Sequence, residues 1–256
     1  MGAVPETEPL AAEAVEAVEV DLAAEADADL AAEADPLPAP PNGIRTFTPR
    51  WRNSPLTDER MARLMPARAL PEGPLVPEVA FGRTGPVVVE IGSGHGAAAI
   101  AFCAAHPEAD LIAVEVHVPG VARMLALAED AGVENLWVHP GDAVPFLTER
   151  VSPGSLAAVH LFFPDPWPKN KHAKRRFVQQ HTLALIASRL QVGGQLLIAT
   201  DIDSYAAHSR AQLAEHGRWD VVEGVRPPWR PDAGFEAKGV RAGRVVSELR
   251  ATLRPL

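Results

Sequence analysis

The chain has 256 residues, 47% of them hydrophobic, which is enough for one generous domain or two small ones around a buried core. Its apolar runs, such as Ala97 to Ala105, fall well short of the ~20 residues a membrane span needs, and no Lys or Arg before Arg45 supplies the basic start of a signal peptide. The single cysteine, Cys103, excludes an intrachain disulfide, fits a reducing cytoplasm, and reads as a small buried hydrophobe.

The formal charge of −9 is unevenly placed. Residues 1–40 hold eleven Asp or Glu and no Lys or Arg, which leaves 22 acids against 24 bases in the remainder. The body is near neutral, so an acidic pI does not argue against a nucleic-acid partner. In the tail, LAAEA recurs at Leu10, Leu22 and Leu30. Ala and Glu favour helix locally, but bulky apolar residues are too few to pack a face. Asp35 to Gly43, DPLPAPPNG, breaks any helix. Residues 1–43 are therefore expected to be a disordered, solubilising tail; the sharper reading has them competing with nucleic acid for a basic surface. Residues 44–256 are expected to form a single domain.

From Pro86 onward, strand-like and helix-like segments alternate. The predicted strands are 87–91, 111–116, 135–142, 156–163 and 195–201, apolar on both faces as in a parallel sheet. Predicted helices intervene at about 95–106, 119–131, 172–190 and 203–215, and segments 219–225 and 245–253 add two more strands at the far edge. The pattern implies an α/β, doubly wound, mostly parallel sheet.

Ligands of such sheets bind beyond the carboxyl ends of the strands. Each of the five strands ends at or beside an acid: Glu90, Glu115, Asp142, Asp165 and Asp201. Around the first, EIGSGHG places Gly92, Gly94 and Gly96 in a tight strand-to-helix turn where backbone can approach a ligand. A dinucleotide site wants G-x-G-x-x-G and a helix start facing pyrophosphate. Here the spacing is G-x-G-x-G, and Glu90 would repel phosphate while suiting the amino-acid and sulfonium end of S-adenosylmethionine. Glu115 is placed for ribose hydroxyls and Asp142 for the adenine amino group.

After the fourth strand comes FFPDPWPKNKHAKRR, Phe162 to Arg176. Three prolines fix φ and remove donors, holding the Asp165 carboxylate and the Trp167 indole rigidly. Trp167 either stacks on an extruded base or packs under the loop. The cations Lys174, Arg175 and Arg176 fall near the start of the predicted helix 172–190, where the helix dipole disfavours them unless an anion such as phosphate binds. If all five cations of 169–176 met phosphates, the log–log salt slope would be roughly −3.5 to −4.5.

EIGSGHG, AVEVH, GDA, LFFPDPWPKNKHAKRR and ATD, in this order and spacing, resemble the successive motifs of the bacterial tRNA (guanine-N7)-methyltransferases, and RTFTPRWRNSPLT (Arg45 to Thr57) resembles that family's entry segment. The resemblance runs from about Arg45 to Arg244 and omits the acidic tail. It implies a Rossmann-like S-adenosylmethionine-dependent fold and methyl transfer to N7 of a guanine in the tRNA variable loop. It further implies cofactor contacts by Glu90, Glu115 and Asp142 around the turn of Gly92, Gly94 and Gly96. Asp165 matches the catalytic-site aspartate, close to both cofactor and guanine. Lys169 and Asp201 match substrate contacts, and Lys171, His172, Lys174, Arg175 and Arg176 belong to the RNA-interacting run. The family's Thr-x-Phe-Glu substrate segment corresponds to Ala233, Gly234, Phe235 and Glu236, without the threonine hydroxyl.

Guanine N7 carries an in-plane lone pair, so its methylation removes no proton, and Asp165 either accepts hydrogen bonds from the guanine Watson–Crick edge or stabilises the ring as it becomes cationic. The rival readings are an exocyclic-amine methyltransferase, a non-catalytic RNA-binding module and a nicotinamide-dependent oxidoreductase. The first is disfavoured by the missing second proline after Asp165 and the adjacent basic run, the second by the complete set of cofactor acids and glycines, and the third by Glu90 and the G-x-G-x-G spacing. No His/Cys group has metal-ligand spacing, so no metal is expected. His95 and His117 are assigned no role.

Overall fold

The computed structural model describes residues 53–255; the acidic tail and the entry segment up to Arg52 lie outside the described residues. Seven strands form one sheet: β1 (Val87–Ile91), β2 (Asp110–Glu115), β3 (Leu136–Pro140), β4 (Leu156–Phe162), β5 (Leu190–Thr200), β6 (Trp219–Glu223) and β7 (Ser247–Leu253). Their order is β3-β2-β1-β4-β5-β7-β6. The first five run parallel, and β7 is inserted antiparallel between β5 and β6. The helices are α1 (Pro55–Leu64), α2 (Pro77–Ala80), α3 (Ala97–Ala105), α4 (Val118–Asp130), α5 (Ala143–Glu149), α6 (Gln180–Arg189), α7 (Asp203–His216) and α8 (Gly234–Arg241).

Strand residues alternate between two cores, which is why the strands read as continuous apolar runs. Val87, Val89 and Ile91 of β1 join Phe146 of α5, Ile186 of α6 and Tyr205 of α7. Val88 points the other way, to Phe102 and Cys103 of α3, Met124 and Leu125 of α4, and Leu64 of α1. Each such Leu, Ile, Val or Phe contributes about 1.5–3 kcal/mol on burial. Cys103 lies inside the second core, and burial raises its thiol pKa far above the ordinary range.

The predicted helix 172–190 is two elements. Residues Asn170–Arg175 form a 3-10 turn, the chain then extends, and α6 begins only at Gln180. The break is set by a capping box, in which the Gln179 side chain and Thr182 each accept from the other's backbone N–H. Lys174, Arg175 and Arg176 therefore precede the α6 start, and the dipole argument made for them from sequence does not apply. Helices α1, α2, α5 and α8 lay outside the predicted set. Of these, α1 is capped by Ser54, which accepts from Thr57 N at 3.1 Å, and α5 by Asp142.

Across β4, β5 and β7, the face that carries His160 and Glu248 is closed by the connection from β6 to β7 rather than by a long helix. Arg230 on this connection is buried and sits between two buried carboxylates. It donates from Nε to Glu236 at 3.1 Å and from Nη1 to Glu248 at 3.0 Å, and lies 4.8 Å above the Phe162 ring. Arg226 also donates to Glu236, at 2.6 Å. Removing one partner of a buried pair strands the other charge at a cost of about 3–5 kcal/mol. Arg230→Ala should lower stability by that amount in urea unfolding with an unchanged m-value; a loss under about 1 kcal/mol would mean the carboxylates are relieved by water or protons instead.

Candidate active site

The turn after β1 takes left-handed backbone at Gly92, Gly94 and Gly96, with φ of 73°, 55° and 85°. At Gly92 and Gly94 a Cβ would meet nothing within 4 Å, so the backbone faces open space there. At Gly96 a Cβ would lie 2.3 Å from Met124 Cγ, so close packing of the turn on α4 also demands glycine. Glu115, buried at the end of β2, organises this turn. Its two oxygens accept from Gly94 N and His117 N, each at 2.8 Å. Both oxygens are expected from the sequence at ribose hydroxyls; each already serves a backbone donor and has one remaining lone-pair direction for a ligand. Asp142 at the end of β3 accepts from Val144 N at 2.8 Å as the α5 cap. Glu90 is 2% exposed, and its Oε2 has no hydrogen-bond partner.

Past β4, Phe163 and Trp167 adopt positive φ, 49° and 40°, which only glycine takes without strain. Arg176 holds this strained loop. Its guanidinium is buried and donates to the carbonyls of Pro166 (3.1 Å), Trp167 (3.3 Å) and, at the head of α7, Ser204 (3.0 Å). That geometry removes Arg176 from the outward cations. Lys169, Lys171 and Lys174 are exposed, and Arg175 lies 4.8 Å over the Trp167 ring. His172 meets the same ring edge-on at 5.7 Å; desolvation first, then Arg175, lowers its pKa. Asp165 reaches solvent at the rim of this loop. Partial burial, then the Glu115 charge, raise its pKa.

A family model described as "Putative methyltransferase" matches residues 84–249. The tRNA (guanine-N7)-methyltransferase of Nitrosomonas eutropha is 40% identical over 191 residues, covering 73% of this chain and 85% of that protein. Its namesakes from Halorhodospira halophila (44% identical, 68% and 78% covered) and Shewanella pealeana (46%, 66% and 73%) match similarly. The chain belongs to the tRNA (guanine-N7)-methyltransferase family. Among solved structures, the 16S rRNA methyltransferase KamB shares the fold, with a TM-score of 0.51 at 16% identity over 68% of this chain and 90% of that one.

This methyltransferase uses S-adenosylmethionine, and its carboxyl edge fits that cofactor. The unpartnered buried Glu90 oxygen suits a cationic end, and the open backbone at Gly92 and Gly94 admits close approach. Among the described residues no cluster of His, Cys, Asp or Glu could hold a metal ion, and no helix is long and apolar enough to cross a membrane.

The remaining expected residues gather at the end of β5 and on α8. Asp201 accepts from Arg244 Nε at 2.6 Å, and Gly239 of α8 packs so closely that a Cβ would lie 2.4 Å from its Oδ2. Phe235 is 67% exposed beside this anchor. Glu236 points inward to Arg226 and Arg230, so its carboxylate holds the segment in place instead of facing outward. Ala233 is the α8 N-cap, extended at φ −130°, with no side chain to accept from the first turn. The family's Thr-x-Phe-Glu is thus a cap position followed at N3 by an acid, the spacing of a capping box.

His160, Trp229, Arg230 and Arg244 were not singled out from sequence. Only His160 left a signal, a polar residue at an inward position of an otherwise apolar strand. Ala233→Thr should restore the cap and raise stability by about 0.5–1.5 kcal/mol in urea unfolding; no gain would show that the hydroxyl is directed away from the helix, toward substrate.

Proposed function

We propose that this protein transfers a methyl group from S-adenosylmethionine to N7 of a guanine in the tRNA variable loop, in the cytoplasm. The observation that supports the reading is the strained loop after β4, which sets Asp165 at the carboxyl end of the sheet and continues into an outward basic track. Membership in the family and the names of the relatives supply the substrate.

The cofactor supplies an electrophilic methyl group on a sulfonium. Glu90, Glu115 and Asp142 would hold the cofactor from the ends of β1, β2 and β3. Asp165 would face the guanine, whose N7 lone pair forms the new N–C bond as the methyl's bond to sulfur breaks to leave a neutral thioether, with no proton lost. As the ring becomes cationic, the Asp165 carboxylate offsets the charge in a partly desolvated site, where a fixed charge acts more strongly than in water. Asp165 is therefore an electrostatic stabiliser rather than a base. Lys169, Lys171, Lys174 and Arg175 contact tRNA phosphates, and Phe235 offers an exposed ring near the base.

Labelled cofactor and unmodified tRNA should yield label in 7-methylguanosine on nucleoside analysis; label on an exocyclic amine would overturn the target atom. Asp165→Asn should lower kcat on the order of a hundredfold or more with tRNA affinity intact. The raised Asp165 pKa places the acid limb of kcat/KM above the ordinary carboxylate value of about 3.9. It also means that the carboxyl favours the fold when protonated, and that this contribution is lost as pH rises through the raised pKa. At neutral pH the Asn variant should therefore melt no lower than wild type.

The basic track gives a separate test. With Arg176 withdrawn, four cations remain, and a double Lys171→Ala, Lys174→Ala variant should make the log–log salt slope of tRNA binding shallower by about 1.4–1.8. An unchanged slope would place the RNA elsewhere.

A further inference from the structure

Glu90 of β1 and His160 of β4 lie directly opposite one another in the parallel pairing. Both are buried, at 2% and 1% exposure, and neither Glu90 Oε2 nor His160 Nδ1 has a hydrogen-bond partner. The two atoms face each other at 3.6 Å. A buried carboxylate oxygen without a donor is costly, and closing this gap by about half an ångström would make an N–H···O bond of ordinary length.

The imidazole is held for that purpose. It stacks on Trp229 (centroids 5.3 Å, planes at 28°) and on Phe162 (5.1 Å, 28°), and meets the edge of Phe102 at 5.1 Å. Rings on these sides leave Nδ1 pointing at Glu90. A histidine placed only to fill space would have its polar atom served by backbone or water, and an apolar side chain would fill the same space without the penalty of an unserved nitrogen.

We propose that His160 is a positioning residue for the cofactor: its Nδ1–H holds one oxygen of the Glu90 carboxylate, so that the other is presented to the ammonium of the cofactor's amino-acid end. The inference rests on the methyltransferase reading above. It also gives Trp229 a purpose, because the connection that carries Arg230 and leads to α8 clamps the ring that orients the cofactor acid.

The test is calorimetric titration of the full chain with S-adenosylhomocysteine and, separately, with 5′-methylthioadenosine, which lacks the amino-acid end. His160→Phe keeps an aromatic ring between Trp229 and Phe162 but removes the donor. It should weaken S-adenosylhomocysteine about tenfold and leave 5′-methylthioadenosine within about twofold. His160→Asn, whose amide nitrogen falls near the place of Nδ1, should recover most of the loss. Unchanged S-adenosylhomocysteine binding by His160→Phe would overturn the proposal. So would equal weakening of both ligands, or an Asn variant as weak as the Phe variant, since either would mean that packing alone is at work. If wild type itself bound neither ligand, the methyltransferase reading would fall and this inference with it, an outcome visible in the wild-type trace alone.

Discussion

The parallel pairing of β1 with β4, from Val88 opposite Ala158 to Glu90 opposite His160, is the constraint on which the site depends. The strand order reverses at this pair, so the loops leaving the two carboxyl ends diverge and open a crevice. The glycine turn leaves on one side and the Asp165 loop on the other. A slip of one residue in this register would put Glu90 and His160 on opposite faces of the sheet, one of them against the core that holds Phe146. The apolar alternation of β1 and β4 therefore does more than stabilise the sheet: it decides which acid faces the crevice.

The crevice has one stiff wall. Prolines 164, 166 and 168 limit the unfolded freedom of the Asp165 loop, but they do not remove the strain at Phe163 and Trp167. Arg176 does that work from the far side by gathering the Pro166, Trp167 and Ser204 carbonyls. Five cations that look alike in the sequence thus divide by burial into a clamp and a track. A carbonyl nest takes the guanidinium because its planar set of donors reaches several acceptors at once, which an ammonium cannot do. The lysines at 169, 171 and 174 stay exposed, where a long flexible cation can follow a phosphate.

How much was legible in sequence follows from the range of the interaction concerned. The strands and the helices after β1, β2 and β5 were readable within about two residues, apart from an earlier start to β5, because local apolar periodicity and long-range burial agree there. The false helix from 172 failed because alanine, lysine and arginine favour helix locally, while the break depends on a Gln179–Thr182 cap that differs from the usual Ser/Thr-x-x-Glu form. Helix α5 is hard to see in the sequence because Pro145 sits in its first turn and Asp142, expected as a ligand, serves also as its cap. Glu90, Glu115 and Asp165 could be placed at the strand ends from spacing alone. That Glu115 serves Gly94 and His117, or that Glu236 turns inward to Arg230, depends on contacts between distant segments that no local pattern records.

The two sides of the site are stabilised differently, and this bears on how it tolerates salt. The cofactor side rests on the apolar core beneath α3 and α4. The α8 side rests on ion pairs, Arg230 with Glu236 and Glu248 and Arg244 with Asp201. Arg230 and Glu236 are only 1% and 5% exposed in their side chains, so mobile ions cannot come between them, whereas the lysine track stands in open solvent. Rising ionic strength therefore screens the exposed lysines well before it loosens the buried pair. A fold that is to meet a polyanion can keep ion pairs in its own architecture where those pairs are dry, a condition that Arg244, 44% exposed beside Asp201, does not meet. Arg176 and Arg230 meet it in the same way, as buried guanidiniums whose donors are taken up by the protein itself.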